Sequence, residues 1–380
     1  MEDLVLIIGC GPSGLAMATC LAVLSIPFII LEKEDCIASL WKKRTYDCVK
    51  LHLAKQFCAL PHMPFSSTTP TFIPKAKFIQ YLDEYAERFN INPMYNMNVE
   101  SATYNRGTKN WIVTACNTIS GEVKRYAGKF LIVATGENSK SFIPNFPGLN
   151  SFTGVVIHSS YYKSGAPYAG QNVLVVGSGN SGMEIAYDLA KFGAKTWICV
   201  RSAFHVVTKE MIYLGMKLLK YLPVFLVDAL VVLLANFRFG DLSKYGIVRP
   251  KKGPFLLKAT SRRSPVIDVG TVDKIKAGEI QVLPAMTSIN GNEIVFSDGK
   301  SHYFDAIVFA TGYKSSANCW LQDDLLNEQG FPKQKFPHHW KGKNGVYFAG
   351  LSGMGLAGVS RDAQNIANDI HMILKANGAM

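Results

Sequence analysis

No two of the eight cysteines, at positions 10, 20, 36, 48, 58, 116, 199 and 319, fall within CxxC spacing. That spacing argues against a zinc ribbon, a dithiol reductase and a disulfide scaffold, so free thiols in a reducing compartment are expected, and no metal. Acidic residues are in short supply. The chain of 380 residues carries 28 Asp+Glu against 40 Lys+Arg, a net charge of +12. Such a surface attracts anions without naming one. Low charge and low apolarity do not occur together: 48% of residues are hydrophobic and 18% charged, which excludes a disordered chain. A long uninterrupted apolar run is also missing. Tyr221–Phe237 is 17 residues long, with Pro223 near its start and Asp228 at its centre. A spanning helix needs about 20 residues and no central charge, so no transmembrane segment is expected. Met1-Glu2-Asp3 supplies no basic region ahead of Leu4–Ile8, so a signal peptide is not expected either.

What the chain does contain is a duplicated pattern. Leu4–Ile8 is a continuous apolar run that stops at a Gly-rich turn, as in a strand covered on both faces of a parallel sheet. Ser13–Leu24 reads as a helix and Pro27–Leu31 as the next strand. The same order returns in Val173–Val176, Gly182–Phe192 and Thr196–Val200. A second pair of strands, Phe130–Val133 and Ala306–Phe309, each breaks at Ala-Thr-Gly: Ala134-Thr135-Gly136 and Ala310-Thr311-Gly312. The expected fold is α/β, with two doubly wound, Rossmann-like dinucleotide-binding domains and the second inserted into the first. The expected boundaries are 1–165 plus 313–380 for the first and 166–312 for the second. Met211–Phe239 reads as helix, forming an apolar insert at about 205–240, and Asp241–Pro265, basic and rich in Gly and Pro, reads as loop.

The turns carry the chemistry. Gly9-Cys10-Gly11-Pro12-Ser13-Gly14 is a GxGxxG between strand and helix. In such a turn the first glycine makes the tight bend and the second lets a pyrophosphate approach the backbone. The third permits close helix–strand packing, with the helix N-terminus facing the anion. Glu32, 18 residues after Gly14, ends the next strand, where a carboxylate accepts ribose hydroxyls and repels a 2′-phosphate. Gly177-Ser178-Gly179-Asn180-Ser181-Gly182 repeats the motif, and its strand ends in Arg201-Ser202. A cation there suits the 2′-phosphate of NADPH, although Arg201 taken alone is also an ordinary exposed charge. The opposed preferences of Glu32 and Arg201 point to FAD in the first turn and NADPH in the second. Between the motifs lies Phe152-x-Gly154-x-x-x-His158, with Tyr162 four residues further on. On spacing alone His158 reads equally as a functional group and as a hydrogen-bonded linker histidine.

FxGxxxHxxxY between two GxGxxG motifs resembles the flavin-containing monooxygenases over essentially the whole chain. The stretches Leu31-Glu32-Lys33-Glu34, Ser39-Leu40-Trp41-Lys42, Leu51-His52-Leu53, Lys55-Gln56-Phe57-Cys58, Ala134-Thr135-Gly136-Glu137-Asn138 and Gly179-Asn180-Ser181-Gly182-Met183-Glu184 are similar to the plant YUCCA branch. That resemblance implies oxidative decarboxylation of indole-3-pyruvate to the auxin indole-3-acetic acid, through a flavin C4a-peroxide formed with NADPH and O₂. It places FAD on Gly9, Gly11, Pro12, Ser13, Gly14, Glu32, Lys33, Leu40, Trp41 and Thr135. It places NADPH on Gly177, Gly179, Asn180, Ser181, Gly182, Arg201 and Ser202. His52 and His158 are the candidate catalytic side chains, with His158 at the domain junction on the nicotinamide side. Two departures stand out. His52 lies three residues before Lys55, where many animal members carry Asn. Flavin reductases of related fold often end in a Gly-Asp that contacts the flavin diphosphate, whereas here Gly350 is followed by Leu351; the Gly-rich run to Gly358 is expected to substitute through backbone N–H groups.

The rival readings are a Baeyer–Villiger or N-hydroxylating monooxygenase and a non-catalytic, redox-responsive flavoprotein scaffold. The expected partners are an α-keto acid and O₂, with no nucleic acid. Membrane contact through Met211–Phe239, aided by Lys251, Lys252, Arg262 and Arg263, is a weaker reading than a solvated basic face. The expected location is the cytoplasm, or the cytosolic face of the endoplasmic reticulum.

Overall fold

The structure is a computed structural model and describes residues 4–378. The chain divides into two compact units, residues 1–43, 54–140 and 313–380, and residues 44–53 and 141–312. The expected boundary between 165 and 166 therefore moves to 140/141. The reason is strand pairing: Val155–His158 lies parallel to Ala306–Phe309 as the edge strand of the second unit's sheet.

The first unit is built on a four-stranded parallel sheet in the order Val346–Phe348, Phe130–Val133, Val5–Ile8, Phe28–Leu31. The side chains of Val5–Ile8 and Phe130–Val133 are buried without exception, as the unbroken apolar runs require of strands covered on both faces. Helices Pro12–Val23 and Leu356–Ala376 pack on each other. A three-stranded antiparallel sheet, Met97–Asn105, Asn110–Asn117 and Val123–Gly128, contributes Met97, Val99, Trp111 and Val113 to a core shared with Leu4, Leu6 and Ile8.

The second unit holds a five-stranded parallel sheet in the order Ile280–Leu283, Lys195–Cys199, Asn172–Val176, Ala306–Phe309, Val155–His158. Helix Asn180–Lys191 follows its Gly-rich turn. The expected helix Met211–Phe239 is two helices, Lys209–Leu218 and Val224–Phe239, because Pro223 lacks the N–H a continuous helix would use. The expected loop Asp241–Pro265 contains an eight-residue helix, Pro254–Ser261. The group that starts it comes from the preceding helix. Asp228, the central charge of the apolar run, is buried, and its carboxylate accepts the backbone N–H groups of Phe255 at 2.8 Å and Leu256 at 3.1 Å. Two donors that a helix start otherwise leaves unpaired are satisfied by a residue 27 and 28 positions away. Among the described residues no helix is long and apolar enough to cross a membrane.

Asp228→Ala is expected to cost about 1–3 kcal/mol of local stability. Hydrogen exchange should read this as roughly five- to 150-fold faster amide exchange across 254–261 with the parallel sheet unchanged. Unchanged exchange in that helix would show that the cap carries no weight.

Candidate functional site

In the first unit, Ile8 pairs with both Leu31 and Val133, so three strands end at one level. Gly9 donates its N–H to the Leu31 carbonyl at 2.8 Å, and Ala134 donates to Ile8 at 2.9 Å. The Gly-rich turn and the Ala-Thr-Gly turn are thereby forced side by side. Gly9 has φ +102, and a Cβ there would lie 2.7 Å from the Ala134 carbonyl oxygen. A Cβ on Gly14 would lie 2.0 Å from the Gly9 carbonyl oxygen. Gly11 differs: its backbone is extended, at φ −76 and ψ −171, and a Cβ meets nothing within 4 Å. The chain itself therefore needs no glycine at position 11; the space there is open to a ligand.

The second unit repeats these relations. Val176 pairs with Cys199 and with Phe309, and Ala310 donates to the Val176 carbonyl at 2.9 Å. Gly177 has φ +118, with the Ala310 carbonyl oxygen 2.4 Å from an added Cβ. A Cβ on Gly182 would sit 1.9 Å from the Gly177 oxygen, and one on Gly179 would meet nothing within 4 Å. Neither following helix has a side-chain cap or an acidic residue in its first turn, so both N-termini keep unpaired N–H groups for an anion.

Around the first turn, Glu32 is buried and accepts N–H groups from Cys10 at 2.6 Å and Glu34 at 3.0 Å. Burial pushes its carboxyl above the usual range while the two N–H groups pull it down. Two carboxylate oxygens still have lone pairs for ribose hydroxyls. Ala38 donates to the Cys10 carbonyl at 2.9 Å, which fixes the helix Ser39–Lys43 that carries Leu40 and Trp41; Trp41 packs edge-on against Phe78. Lys33 is exposed. The Thr135 hydroxyl is buried with no hydrogen-bond partner among the described residues, an acceptor and donor left for a bound molecule. Ser13 is packed against Gly350, whose added Cβ would fall 2.0 Å from the Ser13 Oγ.

In the Gly-rich run after Gly350, four backbone N–H groups are engaged within the first unit. Gly350 donates to Asp362 at 3.2 Å, Gly353 to Glu137 at 2.5 Å, Met354 to the Ser352 hydroxyl, and Gly358 to Gly355. Asp362 is fully buried and also meets His339 Nε2 at 3.1 Å. Sequence reasoning missed Asp362 and His339, since a lone acid on an amphipathic helix carries no signal of its tertiary partner.

Around the second turn, Arg201 and Ser202 are exposed at the end of the strand Lys195–Cys199. A cleft of about 220 Å³ runs beside Ser178, Gly179, Ser202, His205 and Arg263. Asn180 does not keep its amide free: it donates to the Pro265 carbonyl at 3.2 Å and accepts from the Ile267 N–H at 2.8 Å. The Ser181 hydroxyl bonds to Tyr46. His52 Nε2 lies 2.5 Å from Glu184 Oε1, and the Tyr46 hydroxyl donates to the other oxygen of the same buried carboxylate. His158 is equally committed. Ser160 N–H donates to Nδ1 at 3.1 Å, so the ring proton sits on Nε2, which reaches the Gly312 carbonyl at 3.0 Å. Burial holds this imidazole below its usual pKa, keeping it neutral. Tyr162 donates to buried Asp188 at 2.7 Å, and a Cβ on Gly154 would lie 2.2 Å from the Asp305 oxygen. The FxGxxxHxxxY spacing thus fastens residues 152–162 to the second sheet.

The family model for flavin-binding monooxygenase-like proteins matches residues 2–342. The chain belongs to that family. Within it, the chain is 54% identical to the probable indole-3-pyruvate monooxygenase YUCCA10 of Arabidopsis thaliana over 98% of both chains. It is 44% identical to the indole-3-pyruvate monooxygenase YUCCA1 of Oryza sativa subsp. japonica, over 96% of this chain and 90% of that one. These relatives put this flavin-binding monooxygenase in the YUCCA branch. The fold is shared with the flavin-containing monooxygenase from Stenotrophomonas maltophilia, at TM-score 0.73 and 20% identity over 98% of this chain and 99% of that one. It is also shared with OTEMO in complex with FAD and NADP, at TM-score 0.75 and 16% identity over 98% and 84%.

Gly11→Val should fold, since valine favours the extended backbone at that position, yet purify colourless because its methyl groups fill the open space. Gly14→Ala should instead fail to accumulate as folded protein. Flavin absorbance per mole of soluble protein reads both; a yellow Gly11→Val protein would mean the first turn holds no flavin.

Proposed function

We propose that this flavin-binding monooxygenase converts indole-3-pyruvate, NADPH, O₂ and a proton into indole-3-acetic acid, CO₂, NADP⁺ and water. The observation that carries the reading is the full-length identity to indole-3-pyruvate monooxygenases, joined to two equivalent cradles of opposite charge preference. In this reading FAD lies along the turn Gly9–Gly14 and NADPH along the turn Gly177–Gly182. Bound FAD supplies the redox chemistry, accepting hydride from NADPH and activating O₂.

The chain's own residues bind and orient. The open N-terminus of Pro12–Val23 takes the FAD pyrophosphate across Gly11, Glu32 takes ribose hydroxyls, and the Thr135 hydroxyl takes a polar atom of the cofactor. Leu40 and Trp41 flank the same ligand. Gly179 and the N-terminus of Asn180–Lys191 take the NADPH pyrophosphate, and Arg201 pairs with its 2′-phosphate beside Ser202. Lys33, exposed next to Glu32, lies along the same cofactor. Asn180, Ser181, His52 and His158 act at one remove. Asn180 holds Pro265 and Ile267 in place, His52 and Tyr46 lock Glu184 on the pyrophosphate-binding helix, and His158 joins two strand ends. The bond from His158 Nε2 to the Gly312 carbonyl gives this ring a positioning role. The organisation of the two units into an FAD-binding and an NADPH-binding domain follows from these assignments.

Under ¹⁸O₂, one labelled oxygen atom should enter the carboxylate of indole-3-acetate, and CO₂ should derive from the substrate's own carboxyl group. Mass spectrometry of the product checks this. An unlabelled acid, or anaerobic turnover at the aerobic rate, would contradict the monooxygenase reading even with both cofactors bound.

A further inference from the structure

The second unit has a cavity of about 380 Å³ that neither Gly-rich turn lines. That volume is within the range of small-molecule sites. Its walls combine the apolar side chains of Phe204, Val206, Leu242, Ile247 and Val248 with polar Asn236, Asp241 and Ser243. The segment 240–249 beside it is pinned to the body of the unit by Phe204, which donates to the Val248 carbonyl at 3.0 Å, and is tied internally by Ile247, which donates to Leu242 at 3.2 Å. Phe204 also lines the cleft beside Gly179 and Ser202, so the two spaces share this residue.

One cation among the lining residues, Arg249, accompanies the apolar side chains. Its guanidinium is half-buried and makes no hydrogen bond and no ion pair within 4.0 Å among the described residues. Loss of water lowers its pKa, against a small opposite push from Asp241. Asp241 also lines the cavity, and each of its oxygens already accepts a bond from Ser243, from the N–H and from the hydroxyl, each at 2.9 Å. The other titratable neighbour is His205, which faces away to the Lys252 carbonyl at 2.7 Å. A partly desolvated, unpaired guanidinium is costly unless an anion completes it. Phosphate esters fit poorly, because a dianion would meet one cation and the Asp241 carboxylate. A monoanion with an apolar body satisfies both the walls and the charge.

We propose that this cavity binds an apolar carboxylate, an aryl or alkyl acid whose carboxylate pairs with Arg249 while its body lies against Phe204, Val206 and Ile247. The class includes the keto acid and the acid of the reaction above, but the binding claim stands on the cavity alone and survives if that reaction is wrong.

The test is isothermal titration of the purified FAD-bound protein with indole-3-acetate, and with neutral indole and cationic tryptamine as controls. Indole-3-acetate should bind, with indole and tryptamine at least tenfold weaker. Arg249→Met, which keeps the stem and removes the charge, should weaken the acid at least tenfold, and Arg249→Lys should recover part of the loss. Saturating NADP⁺ should leave the titration unchanged. Equal affinity for indole and the acid on the unmodified protein would overturn the proposal, and needs no variant to fold. Unaltered binding by a folded Arg249→Met protein would overturn it as well. So would displacement by NADP⁺, which would assign Arg249 to the adenosine phosphate instead.

Discussion

Both nucleotide cradles depend on one close approach of backbone to backbone. At the end of a central strand, a glycine with φ above +100 presses its Cα against the carbonyl of an Ala-Thr-Gly turn on the neighbouring strand. Any side chain at Gly9 or Gly177 would collide with that carbonyl and would also be strained. The contact sets where the following helix begins and holds its N-terminal N–H groups toward open space. A third glycine, Gly14 or Gly182, lets the helix lie on the first glycine's own carbonyl. Only the middle glycine, Gly11 or Gly179, is free of the protein. The two turns are thus alike in every steric relation, and what distinguishes them is the residue ending the next strand: buried Glu32 in one, exposed Arg201 in the other.

That difference is the kind of fact a sequence displays well. Continuous apolar runs, glycines at fixed offsets and an acid or a cation about twenty residues on are all local, so the strands, the helices and the residues of both turns were readable. So were the paired Thr-Gly breaks, though their adjacency to the Gly-rich turns needed the register of the sheets. What could not be read was tertiary partnership. The strand Val155–His158 looked like linker because it is short and lies next to Gly and Pro, yet it completes the second sheet. Asp228 looked like an interruption of an apolar helix and is instead the cap of another helix far along the chain. The helix 254–261 itself was hidden in a Gly/Pro-rich stretch, because its start signal is not local.

The polar residues outside the turns follow the same logic. His52, Tyr46 and Glu184 form one buried cluster, as do His339, Asp362 and the Gly350 N–H. Each cluster fastens an element that touches a cradle: the helix behind Gly182 in one case and the segment against Ser13 in the other. The two candidate histidines, His52 and His158, each hold a hydrogen bond within the second unit. Within the run Gly350–Gly358, expected to present N–H groups, Gly350 and Gly353 donate to the side chains of Asp362 and Glu137. Arg249 is different in kind: a cation with no hydrogen bond or ion pair among the described residues, beside a cavity that neither turn lines.

The central claim is that two sterically equivalent turns hold two different dinucleotides. Anaerobic mixing of NADPH with Gly179→Val protein, followed at the flavin absorbance band, tests it directly. The substitution adds two methyl groups where an added Cβ meets nothing within 4 Å, so the fold is expected to tolerate it. The account predicts a yellow protein with full flavin content whose colour NADPH bleaches at least a hundredfold more slowly than in the unmodified protein, because binding that aligns the hydride donor is lost. Bleaching at the unmodified rate, or loss of the flavin itself, would contradict the assignment of the second turn.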